Sequence, residues 1–250
     1  MAGNNSFFNL CLLLVIISLL TGCSTLSNLD DPSRQQSPDP LESVNRSVYA
    51  FNTAADNIIL RPTAKAYRKV IPRPARTGVG NFFSNLNEPL YLVNNLLQGK
   101  GYAALTSGYR FAVNSTVGLL GLIDIAKLQK IERRPEDLGQ TLAVWGVKPG
   151  PYLVLPFVGP SNVRDGVGGL ATNTVYYPIN EITSNQTARI ALSVLNIVNQ
   201  RALFLSADGV FEEQIDPYTF SKSLFEYNRL RSIYDGDPPK SEIDNDIDNF

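Results

Sequence analysis

The run Tyr152 to Val158 is apolar, carries Pro156 in its middle, and is fenced by Pro149, Gly150, Pro151, Gly159 and Pro160. This combination closes off most ways of folding the segment. It is too short to cross a bilayer as a helix, which takes about 20 apolar residues. Pro156 removes a backbone donor and fixes φ, which argues against a helix interior and against a central strand. What remains is an extended or turning apolar segment whose backbone polar groups must find partners elsewhere in the protein. The surrounding stretch, Asp137 to Asp165, also holds the only tryptophan, Trp145.

The chain opens on a segment that does not belong to a folded domain. Leu10 to Leu20 is almost wholly apolar and about the length of a signal-peptide core, and it leads into Leu20-Thr21-Gly22-Cys23. That order resembles the lipobox of bacterial lipoproteins, in which cleavage precedes a lipid-modified cysteine. The expectation is a signal peptide over residues 1–22, lipidation at Cys23 and a flexible tether over 23–38, which is rich in Ser, Asp, Gln and Pro. Met1 to Asn9 has no Lys or Arg, so the positive charge at this end is the terminal amine. Acyl chains on Cys23 would contribute about 0.8 kcal/mol per buried methylene. Resemblance to such lipoproteins, with Ser24 and not Asp after the cysteine, points to the inner leaflet of an outer membrane.

Several chemistries are excluded by what the chain lacks. Cys11 leaves with the signal peptide and Cys23 is consumed by lipid, so no disulfide is expected. There is no His, which removes the usual general base of hydrolases and the commonest catalytic zinc ligand. A net charge of −1 argues against a nucleic-acid binder. Gly159 to Val163 lacks the second Gly of a nucleophile elbow, and no Walker motif, paired Cys or EF-hand loop occurs. Glu136 and Asp137 read as solvated acids of a charged loop, and Arg164-Asp165 as a structural ion pair or cap. No enzyme activity, cofactor or metal is expected.

In chain order, Asp39-Pro40-Leu41-Glu42 has the form of a capping box. Leu41, Val44, Val48, Phe51, Ala55 and Ile58 follow at helical spacing, with Arg61-Pro62 as the expected stop. Six cations (Arg61, Lys65, Arg68, Lys69, Arg73, Arg76) then occur with no acid among them, and Pro72 and Pro74 break the chain before Asn81. Asn87-Glu88-Pro89 starts a helix that Gly99 ends, and Tyr102 to Thr116 is helical. Gly118 and Gly121 puncture the apolar run Thr116 to Ala126 and imply close backbone packing. Gly166, Gly168 and Gly169 mark flexible or tightly packed backbone, and Pro178 another break. Thr187 to Phe204 is a helix apolar nearly all round, central to a core or set against lipid. Asp216-Pro217 starts a helix through Phe220, Leu224, Tyr227, Arg231 and Tyr234, stopped by Asp235-Gly236. With no internal repeat and no convincing period-2 strand, the fold class is mainly α: one helical domain over 39–236, then an acidic tail, 237–250, expected to be disordered.

DPLESVNRSVYAFN (Asp39 to Asn52), NLNEPLYLVNNLLQGK (Asn85 to Lys100), VGLLGLIDIA (Val117 to Ala126), EDLGQTLAVWGVKPGPYLVLPFVGPSNVRDGVG (Glu136 to Gly168) and DPYTFSKSLFEYNRLRSIYDG (Asp216 to Gly236) resemble, in order, the MlaA or VacJ family of outer-membrane lipoproteins. The resemblance implies a ring-shaped arrangement of amphipathic helices embedded in the inner leaflet of a Gram-negative outer membrane, with Gly- and Pro-rich non-helical connections. It implies retrograde transport of mislocalised outer-leaflet phospholipids, through a central amphipathic channel, to the soluble periplasmic carrier MlaC, beside a trimeric porin. The result is maintained lipid asymmetry with no covalent chemistry. A headgroup can cross only where polar groups replace part of its hydration. Polar residues on otherwise apolar helices are therefore the candidates for headgroup or channel contacts: Asn45, Asn52, Asn94 and Asn114, with Arg61 or Lys65 for phosphate. Two other readings are a structural lipoprotein supporting outer-membrane porins, and a lipid-acting hydrolase using Ser161 with an unusual base.

Overall fold

The computed structural model of the chain describes residues 39–239. The expected signal peptide, the lipidation site Cys23, the tether and the tail from Lys240 onward lie outside the described residues. Helix α1, Glu42–Ala55, passes without a break through a π-helical turn, Asp56–Leu60, into α2, Arg61–Val70. The expected stop at Arg61-Pro62 is thus corrected. The wider turn absorbs the donor that Pro62 lacks and relieves the clash of its ring with the preceding turn. The helical run ends at Ile71, whose extended backbone (φ −93°, ψ 121°) is the conformation favoured before a proline. The break at the next prolines is also shorter than expected: α3, Arg73–Leu86, starts immediately after Pro72, and Pro74 sits in its first turn, where no donor is needed.

Helices α4, Glu88–Leu97, and α5, Gly101–Thr116, form an antiparallel pair, turned by Gly99 at φ 76°. After the short α6, Ile125–Leu128, come α7, Leu138–Val144, an antiparallel hairpin of β1, Tyr152–Leu155, and β2, Gly159–Asn162, and then α8, Val163–Val175. The chain closes with α9, Pro178–Ile182, α10, Gln186–Phe204, a 3-10 turn at Leu205–Ala207, α11, Asp208–Glu212, and α12, Pro217–Ile233. Side-chain caps start five of these helices: Asp124 accepts from Lys127 N, Asp137 from Gln140 N, Asn162 from Asp165 N, Asn185 from Ala188 N, and Asp216 from Tyr218 N and Thr219 N. The capping box at Asp39 is half realised. Asp39 accepts from Leu41 N at 3.2 Å, but Glu42 turns to Arg46 at 2.8 Å.

The fold is mainly helical, as expected, but the hairpin corrects the expectation of no strand. Its strands hide from a period-2 reading because β1 is apolar on both faces and β2 reads Gly-Pro-Ser-Asn. Tyr152 pairs with Asn162 and Leu155 with Gly159, leaving Pro156, Phe157 and Val158 at the tip, where a proline costs no ladder bond.

Helix α1 supplies the partners that the apolar run requires. Asn45 Nδ2 donates to the Tyr152 carbonyl (3.0 Å) and its Oδ1 accepts from Val154 N (2.9 Å). Asn52 repeats the arrangement, donating to the Leu155 carbonyl (3.0 Å) and accepting from Phe157 N (2.8 Å). Two helical turns rise about 10.5 Å, close to the roughly 10 Å spanned by three strand residues, so asparagines two turns apart can both reach the hairpin. Tyr152, Val154 and Tyr218 of α12 then form a small core with Val48, Tyr49 and Phe225. Replacing Asn45 by Ala leaves a buried backbone donor and acceptor without partners. A loss of about 2–3 kcal/mol of unfolding free energy is expected in denaturant titration, and a loss below about 0.5 kcal/mol would show that the clamp does not hold the hairpin.

Candidate functional site

Outside the small core at the hairpin, polar side chains make up much of the buried interior of this domain, and many large apolar ones lie on its surface. The largest fully buried side chains are Arg110, Glu88, Asn45, Asn85, Asn95, Asn114, Asn199, Thr141 and Ser107. Ile58, Val70, Leu105, Leu120, Leu170 and Phe204, by contrast, are all exposed. Helix α10 shows the same inversion within one element. Ile190, Val194 and Ile197, spaced four and three apart, form an exposed apolar stripe, while Asn199 is buried beside Val198 and Ala202 and accepts from Tyr67 OH at 3.0 Å. Of the two environments open to this helix, the structure gives it the exposed one. The continuous helical run Gln186–Glu212 is long and apolar enough to cross a membrane, by length and composition only. Apolar exposure on this scale needs cover from lipid or a partner.

Among the described residues, the buried Glu88, Arg110, Glu136 and Arg164 sit in ion-paired clusters, and the buried Lys222 lies over the Tyr152 ring. Glu88 Oε1 accepts from Arg110 Nε at 2.8 Å and from Arg133 Nε at 3.1 Å. Arg110 also donates to the Ile131 carbonyl and, through Nη2, to both oxygens of Asp124 at 3.0 and 2.8 Å. Asn114 donates to Asp124 and accepts from Ala126 N, each at 3.0 Å. Burial pushes the Asp124 carboxyl up, but hydrogen bonds from Arg110, the Lys127 N–H and Asn114 outweigh it and hold the group below the usual carboxylate range. Its contribution to stability is therefore present above the unfolded pKa of about 4 and is lost as pH falls through the lower folded value.

Glu136 is not the solvated acid expected of a charged loop, and Asp137, though half-exposed, is tied into an ion pair. Glu136 is buried and takes Lys100 Nζ at 2.9 Å and Gln98 Nε2 at 2.8 Å. Asp137 caps α7 and holds Arg229 in a bidentate pair at 2.6 and 2.7 Å. Arg229 continues to Asp165, which also pairs with Arg164 as expected. A third cluster, Arg61 to Asp208 and Glu212 and Arg201 to Asp56 and Asp208, fastens the π-helical turn to α10 and α11.

The structure disperses the candidate contact residues. Asn45 and Asn52 clamp the hairpin, and Asn114 belongs to the Arg110 cluster. Asn94 donates to the Leu90 carbonyl (2.9 Å) and accepts from Thr141 Oγ1 (2.8 Å). Arg61 is committed to two acids, while Lys65 is exposed. Ser161 is buried in β2, its hydroxyl donating to the Asn162 carbonyl at 3.3 Å.

Of the six, Asn94 faces a cavity. Its volume is about 320 Å³, and Pro89, Leu90, Val93, Asn94, Leu97, Leu138, Ala171, Thr172, Val175 and Tyr176 line it. A smaller recess of about 130 Å³ adjoins it, shares Leu90, Thr172 and Tyr176 with it, and adds Asn87, Asn173, Tyr177 and Asn196 among other groups. Helix α8 stands where it does because α7 and α8 touch through glycine: a Cβ on Gly168 would lie 2.8 Å from Gly139 N. Of the three glycines of α8, Gly168 therefore marks tight packing, while a Cβ on Gly166 would meet only ordinary contacts at 3.7 Å and one on Gly169 open space. The C-terminal half of α8 and the Tyr176 that follows it escaped the sequence reading: Thr172, Asn173 and Thr174 stand together there, and no apolar period singles out a face.

A family model described as MlaA lipoprotein matches residues 37–232. The intermembrane phospholipid transport system lipoprotein MlaA of Escherichia coli (strain K12) is 37% identical over 214 residues, covering 83% of this chain and 82% of that protein. The protein of the same name from Haemophilus influenzae is 30% identical over 220 residues, 87% of each chain. A solved structure, from work on the structural basis for maintenance of bacterial outer membrane lipid asymmetry, superposes with a TM-score of 0.70 at 35% identity over 79% of this chain and 100% of that one.

Arg110 provides the sharpest test of the inverted interior. Arg110→Met leaves Glu88 and Asp124 sharing only the more exposed Arg133, at 3.1 and 3.4 Å, and a loss of about 3–5 kcal/mol is expected, read as the shift in unfolding free energy at pH 7. A neutral result would show that Arg133 alone suffices.

Proposed function

The chain belongs to the MlaA lipoprotein family, and from that membership we propose that it is the lipoprotein component of an intermembrane phospholipid transport system that keeps bacterial outer-membrane lipids asymmetric. The observation that carries the reading is the inversion of polarity. A protein that moves phospholipid through an apolar medium must present apolar faces to that medium and polar groups to the headgroup in transit. The domain has both, with an amphipathic cavity at α4 and α8.

In this reading the helices form a ring in the inner leaflet of the outer membrane, beside a trimeric porin, with Cys23 carrying the lipid anchor. Mislocalised phospholipid leaves the outer leaflet through a central amphipathic channel and passes to the soluble periplasmic carrier MlaC. Crossing is lowered in cost wherever fixed dipoles replace the hydration of the headgroup. Asn45, Asn94 and Asn114 are buried in structural hydrogen bonds, so of the four asparagines the half-buried Asn52 is the one with surface to offer a headgroup. The exposed Lys65 is the proposed phosphate contact, since Arg61 is already shared between two acids. No step makes or breaks a covalent bond, and Ser161 serves the hairpin.

Deleting the gene is expected to raise phospholipid in the outer leaflet, measured by surface-specific acylation of lipid A or phospholipase accessibility, with restoration by the wild-type chain and by Ser161→Ala. Normal asymmetry with altered porin levels would replace transport by scaffolding, and failure of Ser161→Ala to restore would bring back the hydrolase. Cys23→Ala is expected to release the protein from the outer-membrane fraction; persistent native insertion would show that the helices suffice as an anchor.

A further inference from the structure

The cavity and its recess contain no Asp, Glu, Lys or Arg in their linings. The larger chamber is walled by Leu90, Val93, Leu97, Leu138 and Val175, with the polar groups gathered toward the recess. We infer that this cavity pair takes the acyl-glycerol part of a phospholipid, with one acyl chain in the chamber and the ester carbonyls at the recess, and leaves the headgroup outside, so that lipid is accepted there without regard to headgroup. The inference rests on the phospholipid-transport reading and specifies which part of the lipid is recognised.

Size and charge both support it. About 320 Å³ lies at the bottom of the roughly 300–1,000 Å³ range of small-molecule sites, which suits one chain and not two chains with a headgroup. The chamber is open along one wall, since Val93 is 50% and Val175 87% exposed, so a chain can enter sideways. A phosphate is ordinarily held by guanidinium or ammonium groups or by a helix N-terminus. No such cation lines the recess, and the two helix starts that reach it are poor anion sites: α9 has five residues and begins at Pro178, and α4, after Asn87, carries an acid, Glu88, and Pro89 in its first turn. An anion there would lose hydration with little compensation. Ester carbonyls need donors only. Asn196 accepts from Gln200 Nε2 at 3.0 Å, which turns its Nδ2 to donate elsewhere, and Tyr176 OH, already donating to the Leu86 carbonyl at 3.1 Å, fixes the wall between chamber and recess.

The test uses the full-length lipidated protein in vesicles at about 0.3 M salt, which screens exposed cations. Phosphatidylethanolamine and phosphatidylglycerol, each with a photoreactive diazirine at the end of one acyl chain, are the probes, and labelled peptides are mapped by mass spectrometry. Labelling of the peptides containing Val93 and Val175 is expected to be equal for the two lipids within about twofold. Val93→Phe, which fills the chamber, is expected to lower it about tenfold, equivalent to about 1.4 kcal/mol, whereas Val93→Ala retains it. Should Val93→Phe alter the circular dichroism spectrum, Ala171→Leu fills the same chamber from α8. A preference above about tenfold for one headgroup overturns headgroup indifference, and labelling unchanged by both filling variants overturns the site. The transport reading fails independently: the expected labelling pattern, with normal leaflet asymmetry in the deletion strain, upholds the subsite and overturns transport.

Discussion

Arg110 is the centre on which the rest of the domain depends. It joins α4, through Glu88, to the segment after α5, through Asp124 and the Ile131 carbonyl; Arg110 and Glu88 are fully buried, and Asp124 and Ile131 partly so. An ion pair so placed is weak evidence for stability, because desolvation offsets most of the attraction. Its value lies in specificity. In a chain whose exterior is apolar, hydrophobic burial cannot say which faces turn inward, since an apolar surroundings would accept almost any of them. Satisfying Glu88, Asp124 and Asn114 together requires one arrangement of α4, α5 and α6, and misplacing any of them leaves a charge uncompensated in a low-dielectric interior.

The same logic explains why asparagine is the preferred buried residue. Its side chain carries one donor end and one acceptor end, as a peptide group does. On α1 this lets Asn45 and Asn52 stand in for a missing strand, so a two-stranded hairpin that would be marginal alone is held by a helix. The constraint visible in the apolar run Tyr152 to Val158 is met here: its backbone groups are partnered by side-chain amides of a helix more than a hundred residues earlier in the chain.

Features carried by adjacent residues were legible in the sequence. Asp216-Pro217 announces a capped helix and delivers one, and Gly118 and Gly121 announce close approach: a Cβ on Gly118 would lie 2.3 Å from the Ile123 carbonyl. Features set by distant partners were not legible. Pro62 should end a helix, but Asp56 and Arg61, tied to Arg201 and Asp208, support a π-helical turn that carries the helix past it. Glu136 and Asp137 look solvated until Lys100 and Arg229 arrive from elsewhere in the chain. Of the candidate site, the helix that starts at Asn87-Glu88-Pro89 and the polar Asn94 on it were visible, but the opposing wall on α8 depends on the α7–α8 contact, which no local pattern encodes.

The loop after α5 shows how far the inverted design extends. Leu119 and Leu120 both adopt left-handed backbone (φ 54° and 59°), a conformation that costs roughly 1–2 kcal/mol for each residue with a Cβ. Glycine at either position would remove that strain, as it does at the neighbouring Gly121 (φ 90°). The leucines make no compensating burial within the chain, being 61% and 70% exposed. The backbone beneath them is fixed by the Gly121 N–H to the Asn114 carbonyl (2.8 Å) and the Ile123 N–H to the Gly118 carbonyl (2.9 Å), anchored in turn by the Arg110 cluster. A rigid strained turn that displays apolar side chains is unfavourable in water, and in the proposed lipid setting the acyl region supplies the missing burial. The polar cluster inside and the leucines outside are thus two ends of one arrangement: the buried charges hold a backbone shape whose return comes only at the surface.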